Sequence, residues 1–282
     1  MILITGAGGK TGRSVLAALQ RATRPGAVRI RLFLRREEPL PAGVEGYVGD
    51  MTRAAHWQEA MVGVQRIYHI CPNMHPDEIG IGRLALAAAR RAGVGRFVYH
   101  SVLHPQTEKM PHHWRKLRVE ELVLESGLPF TVLQPTAYMQ NIAAGWERIR
   151  EAGIYRVPYP VATRISLVDL QDVAEVAAMV LLGAAHLGAT YELVGTAPLS
   201  QVEVAQKLAA ALDRPVQAEA ISPAVWEEEA RQAGVPEAAI APLLAMFRYY
   251  AAYGLVGNPA VLRWLLGRKP AGLVAWVARK RE

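Results

Sequence analysis

Met1-Ile2-Leu3-Ile4-Thr5-Gly6-Ala7-Gly8-Gly9-Lys10-Thr11-Gly12 is the stretch on which the fold turns. A short apolar run meets glycines at positions 6, 9 and 12. A segment with Val15, Leu16 and Leu19 at helical spacing follows, Arg13–Ala22. This reads as strand, tight loop and helix. Gly6 permits the sharp turn, Gly9 lets a pyrophosphate approach the backbone, and Gly12 lets the helix pack close to the strand. The helix N-terminus then offers N–H groups and positive potential to phosphates. Gly8, Lys10 and Thr11 complete the candidate phosphate cradle. The plainer alternative is a glycine-rich turn that holds no ligand.

Working outward, strand-like and helix-like runs alternate. Val28–Leu34 alternates with period two, Val44–Val48 is a short strand, and Trp57–Val62 a short helix. Arg66–Cys71 is β-rich and closes on Pro72. Ile79–Arg91 is an Ala/Leu-rich helix stopped by Ala92-Gly93. Arg96–Val102 (strand), His113–Ser126 (helix) and Phe130–Leu133 (strand) complete the series. Strands that alternate with helices need crossover connections. The expected fold class is therefore α/β, a Rossmann doubly wound parallel sheet. Beyond it the pattern loosens. Tyr138–Ala152 reads as one helix and Asp172–Leu182 as another. Tyr191–Val194 is strand-like. Ser200 and Glu203 form a capping box ahead of Gln201–Leu212, and Pro236–Tyr253 reads as a long helix. The expected division is residues 1–155 as the dinucleotide-binding domain and 156–282 as a smaller mixed α/β substrate-binding subdomain.

The chain has 282 residues, 51% of them hydrophobic and 20% charged, which excludes a disordered polypeptide and allows a sizeable core. A single cysteine, Cys71, excludes an intramolecular disulfide framework and a cysteine zinc site. The apolar stretch Val173–Ala185 contains Glu175 and is shorter than the ~20 residues of a membrane span. The turn at residue 6 leaves no room for a signal peptide. A cytoplasmic protein without membrane partners is expected.

The end of the second strand separates NAD from NADP. An acid there holds the ribose 2′-hydroxyl, whereas arginine suits a 2′-phosphate. The strand ends Leu32-Phe33-Leu34-Arg35-Arg36, with Glu37 and Glu38 following. The expected cofactor is NADP, with Arg35 its leading phosphate contact and Arg36 the second. NAD, with both arginines merely solvated, is the alternative.

Further stretches carry a family resemblance. Gly49-Asp50-Met51-Thr52 follows the third strand, and Arg96–Asn141 reads RFVYHSVLHPQ…MPHHWRKLRVEELVLESGLPFTVLQPTAYMQN. Val168-Asp169-Leu170-Gln171-Asp172-Val173-Ala174 and Leu265-Leu266-Gly267-Arg268 lie further on. With the glycine loop, these resemble the NmrA-like branch of the atypical short-chain dehydrogenase/reductases. The resemblance is dense over residues 1–175 and loose from about 200 to 260. It implies a Rossmann fold, with Asp50 and Met51 near the adenine. It implies that Cys71-Pro72-Asn73 lies along the cofactor and that Ser101 and Pro135 lie near the nicotinamide. The family includes quinone and triphenylmethane dye reductases, isoflavone-type reductases and non-catalytic dinucleotide sensors.

Standard short-chain dehydrogenases place Tyr-x-x-x-Lys on one helix face, where lysine lowers the tyrosine pKa and tyrosine exchanges the proton. Here Lys116 is preceded four residues earlier by His112, in His112-His113-Trp114-Arg115-Lys116. Two readings stay open. His112 or His113 donates the proton, since imidazole titrates near neutrality. Alternatively no acid is needed, because a quinone or cationic dye takes hydride readily and solvent protonates the product. Lys116 is expected to orient the nicotinamide ribose. Its plainer reading is a surface lysine paired with Glu120. His100, His104, His112 and His113 lack metal-protease spacing, so no metal is expected. Ser101 lacks a G-x-S-x-G setting, and Cys71 reads as a small core residue.

Tyr138, Met139 and Asn141 follow the sixth strand, on the side where open α/β sheets bind ligands. With His104 they are candidate substrate contacts; the plainer alternative is that Met139 and Trp146 pack in the core, which is the favoured reading for Trp146. Phe247, Tyr249, Tyr250 and Tyr253 form an aromatic patch suited to core, lid or interface. The expected function is NADPH-dependent hydride transfer to a small electron-poor acceptor such as a quinone or dye. The alternative is a non-catalytic NAD(P)-binding sensor with a regulatory protein partner. A sugar-nucleotide epimerase is disfavoured by the incomplete Tyr–Lys pair. Nothing in the residues speaks to oligomeric state.

The net charge of +7 is local. Residues 21–36 carry +6 and residues 258–282 carry +5, leaving −4 elsewhere. A nucleic-acid backbone needs a broad basic surface, so nucleic acid is disfavoured as partner. One stretch leads to the expected phosphate site. The other reads as a basic tail without evident purpose.

Overall fold

The computed structural model describes residues 1–281. In chain order the elements begin β1 (Ile2–Ile4), α1 (Lys10–Ala22), β2 (Ile30–Leu34), β3 (Val44–Val48) and α2 (Ala54–Ala60). Then come β4 (Arg66–His69), α3 (Glu78–Arg91), β5 (Arg96–His100), α4 (Pro111–Glu125) and β6 (Phe130–Pro135). The later half runs β7 (Ala137–Tyr138), a 3-10 helix (Met139–Gly145), α5 (Trp146–Ala152), β8 (Ile154–Val157), β9 (Arg164–Ile165) and β10 (Leu167–Val168). It continues α6 (Leu170–Leu182), β11 (Ala189–Leu193), β12 (Leu199–Ser200), α7 (Gln201–Leu212) and β13 (Gln217–Ala220). It closes with α8 (Pro223–Gln232), α9 (Glu237–Tyr253), α10 (Ala260–Leu266) and α11 (Leu273–Arg281).

Seven strands form one sheet in the order β11-β6-β5-β4-β1-β2-β3. Strands β1 to β6 pair in parallel, with Ile2 opposite both Ile30 and Arg66. This is the doubly wound Rossmann arrangement expected from the alternation. The order reverses between β1 and β4, so the crevice where such sheets bind ligands opens beyond their carboxyl ends. Strands β1, β2, β4, β5 and β6 are almost entirely buried, as expected where helices cover both faces. On one face Phe33, Trp57, Ile67, Ile81, Phe97 and Val119 are buried in a common core. The rings of Phe33 and Trp57 meet edge-on at 5.1 Å.

The contacts divide the chain into two interleaved units. The first contains Met1–Gln106, His113–Gln134 and Val173–Tyr191; the second contains Thr107–His112, Pro135–Asp172 and the chain from Glu192 onward. In the first, buried Arg96 donates to the carbonyls of Val180 (2.7 Å) and Leu181 (3.2 Å) and to that of Gly183. A guanidinium thus closes the C-terminus of α6, where carbonyls lack partners.

In the second unit the strands are short pairs: β10 with β7 and β13 with β8, both parallel, and β12 with β9, antiparallel. The Ser200 capping box is present, its hydroxyl accepting from the Glu203 N–H at 3.2 Å. The single helix expected over Tyr138–Ala152 is instead β7, the 3-10 helix and α5, broken at Gly145. The basic tail is also different from expectation. It forms α10 and α11, and two of its arginines, Arg268 and Arg279, are bound internally. Arg268 meets Asp172 at 2.9 Å, Arg279 meets Asp169, and the Ala271 N–H donates to Asp172 at 2.7 Å. Both aspartates are buried. A buried carboxylate requires such partners, which is why the Val-Asp-x-x-Asp segment and the C-terminal arginines occur together.

Candidate active site

The glycine loop has the geometry that phosphate binding requires. Gly6 stands at φ +59°, and a Cβ there would lie 2.7 Å from Ile70 Cγ2. A Cβ on Gly12 would lie 2.6 Å from the Ala7 Cα and the Gly6 carbonyl oxygen, so only glycine lets α1 sit this close to β1. Gly8 and Gly9 are exposed. Gly9 is the N-cap of α1; no side chain caps this helix and no acid lies in its first turn. Its first N–H groups therefore lack intrahelical partners at the positive end of the helix dipole.

The neighbouring strand ends lie along the same edge of the first unit. Arg35 and Arg36 follow β2, are exposed, and form no ion pair among the described residues. Their upstream neighbours differ: Arg29 and Arg31 both pair with Glu45, at 2.5 and 3.1 Å. After β3, the Asp50 carboxylate accepts from the Thr52 N–H (2.8 Å) and hydroxyl (2.7 Å). Those bonds hold Asp50 below the usual carboxylate pKa. Met51 is fixed by its carbonyl, which accepts from the Trp57 indole at 2.7 Å. After β4, Cys71 is buried while Pro72 and Asn73 are exposed. Burial pushes the Cys71 thiol up, so no thiolate nucleophile arises there.

Two residues at this edge escaped the sequence reading. Arg13, in the first turn of α1, pairs at 3.2 Å with Glu38. A Cβ on Gly8 would come within 3.6 Å of that same carboxylate. The only local signal was a basic residue directly after the loop. Glu38 lies 25 residues on, and no periodicity connects them.

Beneath β5 lies a buried polar network. The Lys116 ammonium donates to Glu78 at 2.7 Å and to the His100 carbonyl at 3.2 Å. The Tyr99 hydroxyl reaches the same Glu78 oxygen at 3.4 Å. Lys116 is thus neither exposed nor paired with Glu120, and its charge is balanced by α3. Glu120 instead accepts from the Ser101 hydroxyl and from the Gln134 amide at 2.9 and 3.0 Å. Burial raises the Glu120 pKa against those bonds. Ser101 therefore sits at the carboxyl end of β5 with its hydroxyl already committed.

The histidines are mostly structural. Thr5 donates to the Ile70 carbonyl at 2.9 Å and accepts from the Ile70 N–H. The remaining contact, His69 Nδ1 at 3.2 Å, is then a donation from the ring. Desolvation lowers His69 and His100 to about 3, and both are neutral at pH 7. His113 is buried, donates through Nδ1 to the His104 carbonyl at 3.2 Å, and is lowered by burial to about 4. At neutral pH that ring is a neutral imidazole whose one N–H is spent on the His104 carbonyl, so it is not an imidazolium acid. His104 adopts φ +54°, a left-handed conformation that costs energy for a side-chain-bearing residue.

In the second unit His112 is buried at the start of α4. Tyr138 ends β7 and is half-buried, Asn141 is exposed, and Met139 is fully buried. Trp146 packs edge-on against Trp276 at 5.4 Å. Pro135 is the last residue of β6.

The strand order and glycine loop place this chain among dinucleotide-binding folds, and the model of the NmrA-like family matches residues 1–275. The chain belongs to the NmrA-like family. It is 32% identical over 242 residues to an NAD(P)H azoreductase from Xenophilus azovorans, covering 84% of this chain and 82% of the relative. Among solved structures, an NADPH-dependent quinone oxidoreductase from Escherichia coli, complexed with NADPH, superposes with a TM-score of 0.85. It is 25% identical, with 100% of each chain covered. A Citrobacter sp. triphenylmethane reductase complexed with NADP(H) gives a TM-score of 0.86 at 25% identity, covering 99% of each chain. Among the described residues, no helix is long and apolar enough to cross a membrane.

Proposed function

We propose that this protein is an NADPH-dependent reductase that delivers hydride to a small, flat, electron-poor acceptor such as a quinone or dye. The observation that carries the reading is the uncapped N-terminus of α1 beside two exposed guanidiniums with no ion pair among the described residues. A pyrophosphate suits the first and a 2′-phosphate the second. The three relatives support it: an NAD(P)H azoreductase, an NADPH-dependent quinone oxidoreductase and a triphenylmethane reductase complexed with NADP(H).

In this reading Gly6, Gly8, Gly9, Lys10, Thr11 and Gly12 cradle the pyrophosphate. Arg35, then Arg36, binds the 2′-phosphate. Asp50 and Met51 border the adenine. Cys71, Pro72 and Asn73 line the middle of the cofactor, and Ser101 and Pro135 border its nicotinamide. The reduced nicotinamide, when bound, supplies the hydride. Lys116, anchored by Glu78, positions the β5 end through the His100 carbonyl rather than by touching the acceptor. His104, Tyr138, Met139 and Asn141 are the acceptor-side candidates, with His112 the remaining candidate acid. The missing phenol and the neutral His113 favour protonation by solvent, which restricts the acceptor to groups that take hydride unaided.

The test mixes the protein with NADPH or NADH and a panel of quinones, azo dyes and triphenylmethane dyes while cofactor absorbance is followed. The expected result is acceptor-dependent oxidation, faster with NADPH. Tight NADPH binding without consumption across the panel would overturn the reductase and leave a dinucleotide sensor. His112→Ala should leave quinone turnover within a few-fold; a loss of about a hundredfold would restore this imidazole as the proton donor.

A further inference from the structure

The aromatic patch on α9 divides into two halves. Phe247 and Tyr250 turn into the second unit. Phe247 meets Trp226 at 4.7 Å, and Tyr250 meets Tyr159 at 6.1 Å. Tyr249 and Tyr253 do not share that packing. Spaced four apart, they lie on one face of α9, their rings 4.9 Å apart and tilted by 43°. With Ala245, Arg248 and Lys109 they line a cleft of about 260 Å³ wholly within this unit.

The chemistry of that cleft is specific. Lys109 donates to the Tyr253 hydroxyl at 3.3 Å, and its ammonium stands 5.3 Å from the centre of that ring. Arg248 has no ion pair among the described residues, and no carboxylate lines the cleft. Two cations without a counter-charge select an anion. Two adjacent rings, with the small Ala245 also lining the cleft, select a flat π-system. The volume falls just under the range of about 300–1,000 Å³ typical of drug-sized ligands, which suits one or two fused rings.

We infer that this cleft, built from none of the residues of the dinucleotide loop, is a second binding site for a flat aromatic anion carrying a sulfonate or carboxylate. The rings stack on the aromatic face while Lys109 and Arg248 hold the acidic group. A guanidinium gives two parallel hydrogen bonds to such a group, and an ammonium supplies a point charge. The site binds whether or not the protein turns over, so its test is independent of the reductase reading.

The experiment measures binding of 2-naphthol-6-sulfonate and of uncharged 2-naphthol by fluorescence titration, with NADPH saturating so that the dinucleotide site is filled. The sulfonate should bind the full-length protein at least about tenfold more tightly than the neutral naphthol. The double variant Lys109→Ala/Arg248→Ala should lose that difference. Tyr249→Leu should weaken both compounds by about five- to tenfold. NADPH affinity and melting temperature, measured on each variant, should stay at wild-type values. Equal binding of the two naphthols to the wild type would overturn the inference, as would an undiminished preference in the double variant. Inorganic sulfate displacing the sulfonate at equal concentration would also overturn it, since the rings would then contribute nothing.

Discussion

The two basic stretches look alike as sequence and do opposite things in the structure. Between residues 21 and 36, Arg29 and Arg31 are satisfied by Glu45, while Arg35 and Arg36 remain exposed at the end of β2. Between residues 258 and 281, Arg268 and Arg279 are drawn onto buried Asp172 and Asp169. What distinguishes an anion-binding arginine from a structural one is where its counter-charge comes from. A buried carboxylate in the same chain claims the arginine permanently. Arg35 and Arg36 form no ion pair among the described residues, and under the proposed function that leaves them for a ligand.

The sharpest way to break this contrast is Arg279→Ala. It strips the ion pair from Asp169, which is wholly buried and, among the described residues, otherwise held by the Gln140 amide (2.8 Å) and the Gln171 N–H (3.0 Å). Leaving a buried charge unpaired costs about 3–5 kcal/mol, and the partly exposed guanidinium argues for the lower end. The melting temperature should fall by roughly 6–12 °C for a chain of this size. NADPH affinity, measured well below the transition, should stay within about twofold. A variant that melts like wild type would place Arg279 with the dispensable surface charges.

Arg35→Ala is the mirror experiment. Nothing folded depends on this side chain, so melting should shift by less than about 0.5 kcal/mol equivalent. NADPH affinity should drop by about 10- to 100-fold, the loss of a charge-assisted phosphate contact, while NADH affinity holds. Arg36→Ala should cost less, about two- to threefold. Equal losses for NADPH and NADH would show that Arg35 serves the pyrophosphate or merely the general field.

The same contrast explains how much the sequence disclosed. Signals carried within a few residues were readable. The β1 loop announces itself through Gly6, Gly9 and Gly12, and the start of α7 through Ser200 and Glu203. Long-range partnerships were not. Lys116 has an obvious i+4 partner in Glu120, yet its ammonium is bound by Glu78, 38 residues upstream on another helix. The reason is the interior network: α4 buries both residues, Glu120 is taken by Ser101 and Gln134, and Lys116 meets the Glu78 carboxylate of α3. The pairing of Arg279 with Asp169 spans 110 residues and has no local mark. Without that link, α11 reads as a basic tail. Met139 follows the strand end where a ligand contact is expected, but its full burial depends on packing that no spacing rule encodes.

Glu45→Gln tests the smallest part of the comparison. Arg29 is largely exposed and Arg31 much less so, and the Glu45 carboxyl, held below the usual carboxylate range chiefly by Arg29, is itself more than a third exposed. Pairs of this kind are screened by water and salt and contribute about 0–1 kcal/mol. Melting should therefore change by no more than about 2–3 °C, far less than for Arg279→Ala. The substitution also frees two cations upstream of Arg35 without touching Arg35 itself. If β2 binds phosphate through one positioned guanidinium, NADPH affinity should be nearly unchanged at moderate salt. If it binds through summed charge, affinity should rise, and should fall more steeply with added salt than in the wild type. The salt dependence of NADPH binding, measured on both proteins, thus separates a contact from a field.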